Sequence, residues 1–366
     1  MANKPRFGVQ PRILIMFLCL SVLPMIVGIW FMLNHSETAF IENKGQQMSE
    51  LAEVASMQLR HHLRDTAVQI DTLSFNPAVT RAVEAANLEL GGNSDAIVKN
   101  AQEIEKTWSK LPAQDERVKK ITGNELAVFL KKCIFTNKAF KEIAVLSRDG
   151  VLVAATNPTD HYLYSEPGWR NKVVTNYLDH GAYVSDIKYN AIFKSFSFEL
   201  AIPMFNADRE LIGIIKAILK IEHIAEFLRT FNFGRTGQVM LTGTDGTIIA
   251  SRDLDLTQQV TYDNFQKIQS MLGKIQKPYL ELSDSGKEAQ IIGLPKTQLK
   301  EEFPEANWYL FTVQNSSEAL KPVAGMKETA ITFMIILLIA VAVVAFWFSR
   351  ELTKPVLEMD MHLEKI

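Results

Sequence analysis

Two short stretches decide how this chain folds: Ile143–Ala155, IAVLSRDGVLVAA, and Val239–Ser251, VMLTGTDGTIIAS. Each is an apolar run, an Asp–Gly pair and a second apolar run, which is the pattern of a β-hairpin. The pairs Asp149–Gly150 and Asp245–Gly246 lie 96 residues apart. Further strands are expected at Ala182–Ile187, Phe193–Phe205 and Glu210–Leu219 after the first hairpin, and at Glu288–Leu294 and Trp308–Gln314 after the second. Each hairpin thus opens a small antiparallel sheet. The recurrence predicts a duplicated α/β unit with helices packed on one face of each sheet. Ile221–Phe231 (IEHIAEFLRTF) is the expected helical connector.

Upstream the texture is helical. Ser36–Leu73 holds no Pro and one Gly, Gly45. Met48, Ala52, Ala55, Leu59, Leu63, Thr66, Ile70 and Leu73 step by four and three, so they form one stripe on a helix. That stripe suits a helix lying against its own domain. It equally suits a helix pairing with a second copy of the chain. Asn76–Pro77 ends the helix. Ala78–Phe140 reads as mostly helical, with loops at Leu90–Ser94 and near Leu111–Pro112.

Two segments bracket this block. Ile13–Leu33 has 21 residues and no charge, with Pro24 near its middle; Ala330–Ser349 has 20 residues, also uncharged. At 1.5 Å rise per residue both are long enough to cross a hydrocarbon core of about 30 Å. Lys4, Arg6 and Arg12 precede the first, and Arg350 and Lys354 follow the second. The positive-inside rule places both termini in the cytoplasm and residues 34–329 outside. Trp30 and Trp347 suit the interface. A cleaved signal peptide is the rival reading of the first span. Its apolar run exceeds a typical h-region and no small-x-small site follows. Phe17 and Leu18 before Cys19 are too bulky for a lipoprotein anchor.

Composition excludes other classes. Lys+Arg 39 against Asp+Glu 41 gives a net charge of −2, without the basic bias of a nucleic-acid binder. Two cysteines, Cys19 and Cys133, build neither a disulfide framework nor a Cys-rich metal site. An unpartnered Cys133 reads as a small apolar residue. No phosphate loop, HExxH or nucleophile elbow occurs. Adjacent His61 and His62 point about 100° apart on a helix, so they do not chelate from one face. No catalytic residue, metal or cofactor is expected.

The ordered set Tyr162–Glu166, Trp169–Arg170, Gly181–Asp186, Tyr189–Asn190, Ala201–Pro203, Leu211–Ile215 and Gly234–Gly237 resembles a double Cache (dCache) extracytoplasmic sensor domain, over roughly residues 36–325. Arg350–Val356 is similar to the opening of a HAMP linker. There Leu352, Val356, Met359, Leu363 and Ile366 step as a heptad seam. The resemblance implies an α+β fold: a long N-terminal helix and two tandem PAS-like antiparallel-sheet modules between two transmembrane helices. The expected divisions are 1–12 cytoplasmic, 13–33 first span, 34–75 long helix and 76–225 membrane-distal module. The remainder is 226–325 membrane-proximal module, 330–349 second span and 350–366 start of the HAMP-like coil.

In that family a small ligand sits in the distal module. The positions implied here are Tyr164, Trp169, Arg170, Tyr183, Asp186, Tyr189 and Asn190. Trp and Tyr supply flat apolar walls with polar tips, Arg170 a fork for a carboxylate, and Asp186 an acceptor for an ammonium. The amino-acid-binding version has Arg two residues before the Trp, an aromatic after it, and an Asp at the turn. Pro167, Arg170 and Asn190 stand in those places. An organic acid, an amino acid or an amine all suit the set. The expected function is a two-span receptor of a bacterial inner membrane, acting as a homodimer in the lipid bilayer. Its ligand would alter the packing of the coil after residue 350. A membrane-anchored enzyme lacks a readable catalytic set, and a solute-capture or scaffold protein has no need of the Pro355 and heptad extension.

Overall fold

The computed structural model describes the backbone of residues 9–166, 168–190, 195–252, 260–271, 277–283 and 288–363. Side chains of residues 9–14, 17–18, 190, 271 and 348–363 lie outside the description. Lys4, Arg6, Pro167 and Ile366 therefore fall outside the described residues. So do the side chains of Arg12, Asn190, Arg350, Leu352, Lys354, Val356, Met359 and Leu363.

The chain divides into two compact units, residues 45–315 and residues 1–44 with 316–366. Helix α1 runs Val9–Ser74 and accommodates Pro24 within it. Helix α2 (Pro77–Leu90) begins where Asn76 accepts from the Ala78 N–H and Pro77 needs no donor of its own. Then come α3 (Ser94–Trp108), α4 (Glu116–Thr122) and α5 (Glu125–Thr136). The breaks expected at residues 90–94 and 111–112 lie between them.

The first sheet is built from β1 (Phe140–Ser147), β2 (Leu152–Ala155), β3 (Tyr183–Val184), β4 (Lys188–Asn190), β5 (Ser195–Phe205) and β6 (Leu211–Lys220), with α6 (Trp169–His180) crossing over it. Its order is β2-β1-β6-β5-β3, with β4 also on β5. After α7 (Ile221–Leu228) come β7 (Gln238–Thr242), β8 (Ile248–Ala250), α8 (Phe265–Met271), β9 (Tyr279–Leu282), β10 (Gln290–Gly293) and β11 (Tyr309–Asn315). Their order is β8-β7-β11-β10-β9, the same plan. Short α9 (Ser316–Ala319) then leads to α10 (Lys321–Leu363).

Both Asp–Gly hairpins form. Gly150 and Gly246 take φ of 83° and 81°, a left-handed conformation that a side chain would penalise. The equivalence extends past the turns. Tyr164 donates its N–H to the Gly150 carbonyl and Tyr262 to that of Gly246, both at 2.9 Å.

The α1 stripe is spent on the chain's own interior. Ala52, Ala55, Leu59, Leu63 and Ile70 are buried in one cluster with both sheets: Ile143, Leu200 and Ile215 of the first, Leu241 and Leu310 of the second. The helix is tied to the second module by side-chain hydroxyls bonded to backbone carbonyls. Thr312 Oγ1 donates to the Met48 carbonyl at 2.9 Å and Ser49 Oγ to that of Leu294 at 2.7 Å. Gly293 lies so near the Met48–Ser49 backbone that a Cβ would collide with it.

Two details depart from the sequence reading. Residues 182–187 are not one strand. Ser185 and Asp186 engage the backbone with their own side chains, Ser185 Oγ accepting from the Glu199 N–H and Asp186 Oδ1 from the Ile187 N–H, both at 2.9 Å. These bonds stand in for ladder pairing and split the segment into β3 and β4. Strand β9 and helix α8 carried too weak a pattern to be anticipated. Cys133 is half-buried against the main core, and burial pushes its thiol up.

In the other unit, α1 and α10 are long and apolar enough to cross a membrane. Leu20, Trp30 and Phe31 of α1, and Phe333, Ile336 and Trp347 of α10, are exposed. Lys327 Nζ donates to Glu37 Oε2 at 2.6 Å.

Candidate functional site

One face of the first sheet carries charge where a core would be apolar. Glu142 on β1 and Glu199 on β5 both pair with Ile218 on β6, so the three form one cross-strand row. Lys216, two residues along β6, shares their face. Its Nζ is 2.8 Å from Glu199 Oε2, and it stands 4.2 Å from the centre of the Tyr164 ring. Glu199 Oε1 is buried without a hydrogen-bond partner. Burial opposes the charge on Lys216, but Glu199, Tyr164 and Glu142 outweigh it and hold the amine protonated. Glu142 is 4% exposed. Burial, only partly offset by Lys216 and reinforced by Asp160 and Glu199, pushes its carboxyl up to about 7.

Above this row lies a cavity of about 630 Å³. Its walls include Tyr164, Trp169 and Tyr183, whose rings follow one another at centroid distances of 5.9 and 6.3 Å. Burial pushes both the Tyr164 and Tyr183 phenols up to about 12. Ser185, Asp186, Lys188 and Tyr189 line another side. Burial pushes the Asp186 carboxyl up, against the Ile187 N–H that favours its charge. The loop bearing Tyr164 is held by Glu105, which accepts from the N–H groups of Tyr162 at 2.6 Å and Leu163 at 3.0 Å. His161 Nδ1 lies 2.7 Å from the same carboxylate. Burial disfavours its charge, but the hydrogen bonds from His161, Leu163 and Tyr162 outweigh it and hold the Glu105 carboxyl below the usual carboxylate range.

The Cache domain family profile matches residues 36–323. The chain belongs to the Cache domain family. Among curated proteins none matches it. It is similar to the ligand-binding domain of the Pseudomonas fluorescens chemoreceptor CtaA in complex with L-isoleucine, with 14% identity and a TM-score of 0.45 over 78% of this chain and 98% of that one. It is also similar to the sensory domain of the Campylobacter jejuni chemoreceptor Tlp3, with 12% identity and a TM-score of 0.43 over 78% and 99%.

Of the seven positions expected to touch a ligand in this Cache domain, Tyr164, Trp169, Tyr183, Asp186 and Tyr189 border the cavity. Arg170 does not border it: its Nη1 donates to the Arg148 carbonyl at 2.7 Å on an exposed surface. Neighbouring positions on α6 point about 100° apart, so burying Trp169 turns Arg170 away. Asn190 has its backbone in β4, and its side chain lies outside the described residues.

Glu142, Glu199 and Lys216 went unread in the sequence. Their signal was a charge inside a largely apolar strand run, FKEIAVLS, SFSFELAIPMF and LIGIIKAILK. The second Cache sheet shows that the fold does not require these charges. Equivalent ladder places there hold Gln238, Ile292 and Phe311. Tyr262, the counterpart of Tyr164, packs 5.5 Å from the Phe311 ring, and the space is filled by Phe265, Ile268 and Leu280.

Proposed function

We propose that this chain is a two-span membrane receptor whose first Cache module binds a small molecule carrying a protonated amine. The observation that carries the reading is the contrast between the two sheets. At matched positions one carries Gln238, Ile292 and Phe311, and the other carries the buried Glu142 and Lys216 with the half-buried Glu199, beside cavities that these charges line. Buried charge costs stability unless it is compensated, so charge kept against an available apolar solution points to a ligand. Glu199 Oε1 and Asp186 offer acceptors for an ammonium, and Trp169, Tyr164 and Tyr183 offer faces for cation–π contact. Lys216 already serves Glu199, so a free carboxylate has no unpaired partner among these three charges. An amine or an amino acid therefore fits better than a simple organic acid.

The ligand's differential affinity for two packings of the module supplies the signal. Strand β5 is the first link, because its consecutive residues face opposite ways. Glu199 faces the cavity, while Phe198 packs in the main core against Trp308 of the second module, at 5.1 Å and 72°. From β11 the chain continues through α9 into α10. In this reading residues 34–329 lie outside the cell and both termini inside. The heptad after residue 350 pairs with that of a second copy as the start of a HAMP-like coil. The test is a thermal-shift panel of amines, amino acids and organic acids on the full chain in micelles. A rise in Tm with ammonium compounds that is lost in Glu199→Gln is expected. A rise with organic acids alone, or with nothing, overturns the reading.

A further inference from the structure

Beside the cavity lies a second chamber of about 420 Å³ beneath α3 and α4. The two share Asp160, His161, Tyr164, Lys216 and Ile218, and Tyr164 and Lys216 stand in the wall between them. Glu142 borders the second chamber and is 96% buried by its 4% exposure. Among the described residues its carboxyl has neither a hydrogen bond nor an ion pair. The lining holds two carboxylates, Glu142 and Asp160, against Lys216, which Glu199 already holds, and His161, whose Nδ1 faces Glu105 at 2.7 Å. The Glu142 place accepts a neutral amide in the second sheet, where Gln238 Oε1 receives the Arg252 N–H at 2.9 Å. A buried, unpaired acid aimed into an enclosed space is expensive unless something cationic meets it.

We propose that the second chamber receives a second ammonium group of the same ligand, which makes that ligand a short aliphatic diamine. The inference rests on the amine reading of the first chamber and names its substrate class. One ammonium meets Glu199 and Asp186, the carbon chain passes Tyr164, and the other ammonium meets Glu142. Glu142 and Glu199 stand on the two strands flanking β6, so their backbones are roughly 10 Å apart at a strand spacing of about 4.8 Å. Two carboxyl side chains reaching inward from that separation bracket a short chain rather than a single ammonium.

The experiment is calorimetric titration of the full chain in micelles with putrescine and with n-butylamine, which has the same carbon chain and one amine. Putrescine is expected to bind at least roughly tenfold more tightly, the scale of one charged hydrogen bond. Glu142→Gln, whose Tm verifies its fold, is expected to collapse that ratio toward one. Equal affinities in the parent, or a preference that survives in Glu142→Gln, overturn the diamine assignment while leaving the first chamber's reading standing. Binding of neither amine overturns both.

Discussion

Lys216 and Glu199 form a 2.8 Å ion pair across neighbouring strands, at ladder places where the second sheet carries Phe311 and Ile292. The same backbone plan thus supports a polar interior in one module and an apolar one in the other. The comparison separates what the fold needs from what the first module adds to it.

Removing one member of the pair is expected to be worse than removing all the charge. Lys216→Ala strands the half-buried Glu199 carboxylate, leaves Glu142 without a nearby cation, and should cost about 3 kcal/mol. The triple change Glu142→Gln, Glu199→Ile, Lys216→Phe copies the second sheet, and should match or exceed the parent's stability while abolishing ligand response. Urea denaturation with a parallel binding assay measures both. A triple variant less stable than Lys216→Ala would contradict the argument.

Stability should depend on Glu142 protonation. Its carboxyl titrates near 7 in the folded protein against an ordinary 4.5. Between those values the folded state binds more protons than the unfolded chain, so stability falls as pH rises from about 4.5 to about 7. The loss is complete above that range and amounts to roughly 3 kcal/mol. Glu142→Gln should remove this component. The difference in unfolding free energy between variant and parent, compared at pH 5 and pH 8 without ligand, should favour the variant at pH 8 only.

Arg170 and Trp169 are adjacent in sequence and should behave differently. Arg170→Ala leaves the cavity wall intact, and ligand affinity should stay within about twofold. Trp169→Ala opens the wall and should abolish the ligand-induced thermal shift. An affinity that collapses in Arg170→Ala would place its guanidinium in the site after all.

Gly293→Val tests the contact between α1 and the second sheet. The added side chain meets the Met48–Ser49 backbone, and overpacking of this kind costs about 2 kcal/mol. The bonds from Thr312 to Met48 and from Ser49 to Leu294 should lengthen with it. Faster hydrogen exchange around residues 48–52 would register the displacement.

Much of the architecture was legible because its signals are local. The two Asp–Gly turns, the Asn76–Pro77 break and the α1 stripe each declare themselves within a few residues. The aromatic half of the cavity was legible for the same reason: Tyr164 and Trp169 lie five positions apart. The charged half was not. Glu142, Glu199 and Lys216 are spread over 75 residues and meet only through strand register, which the pattern of a single strand does not reveal. Arg170 misled because a charge beside a buried Trp on a helix looks near the cavity in sequence and faces elsewhere in space.

The shared interior has a consequence for how such proteins are rearranged. Leu59 and Leu63 of α1 pack in one cluster with Ile143 of the first sheet and Leu241 of the second. A cut at α7 would leave each half with a greasy flank exposed and half a scaffold missing. The heritable part is therefore the pair: recombination that grafts both modules together keeps this shared interior whole, whereas moving either one alone divides it.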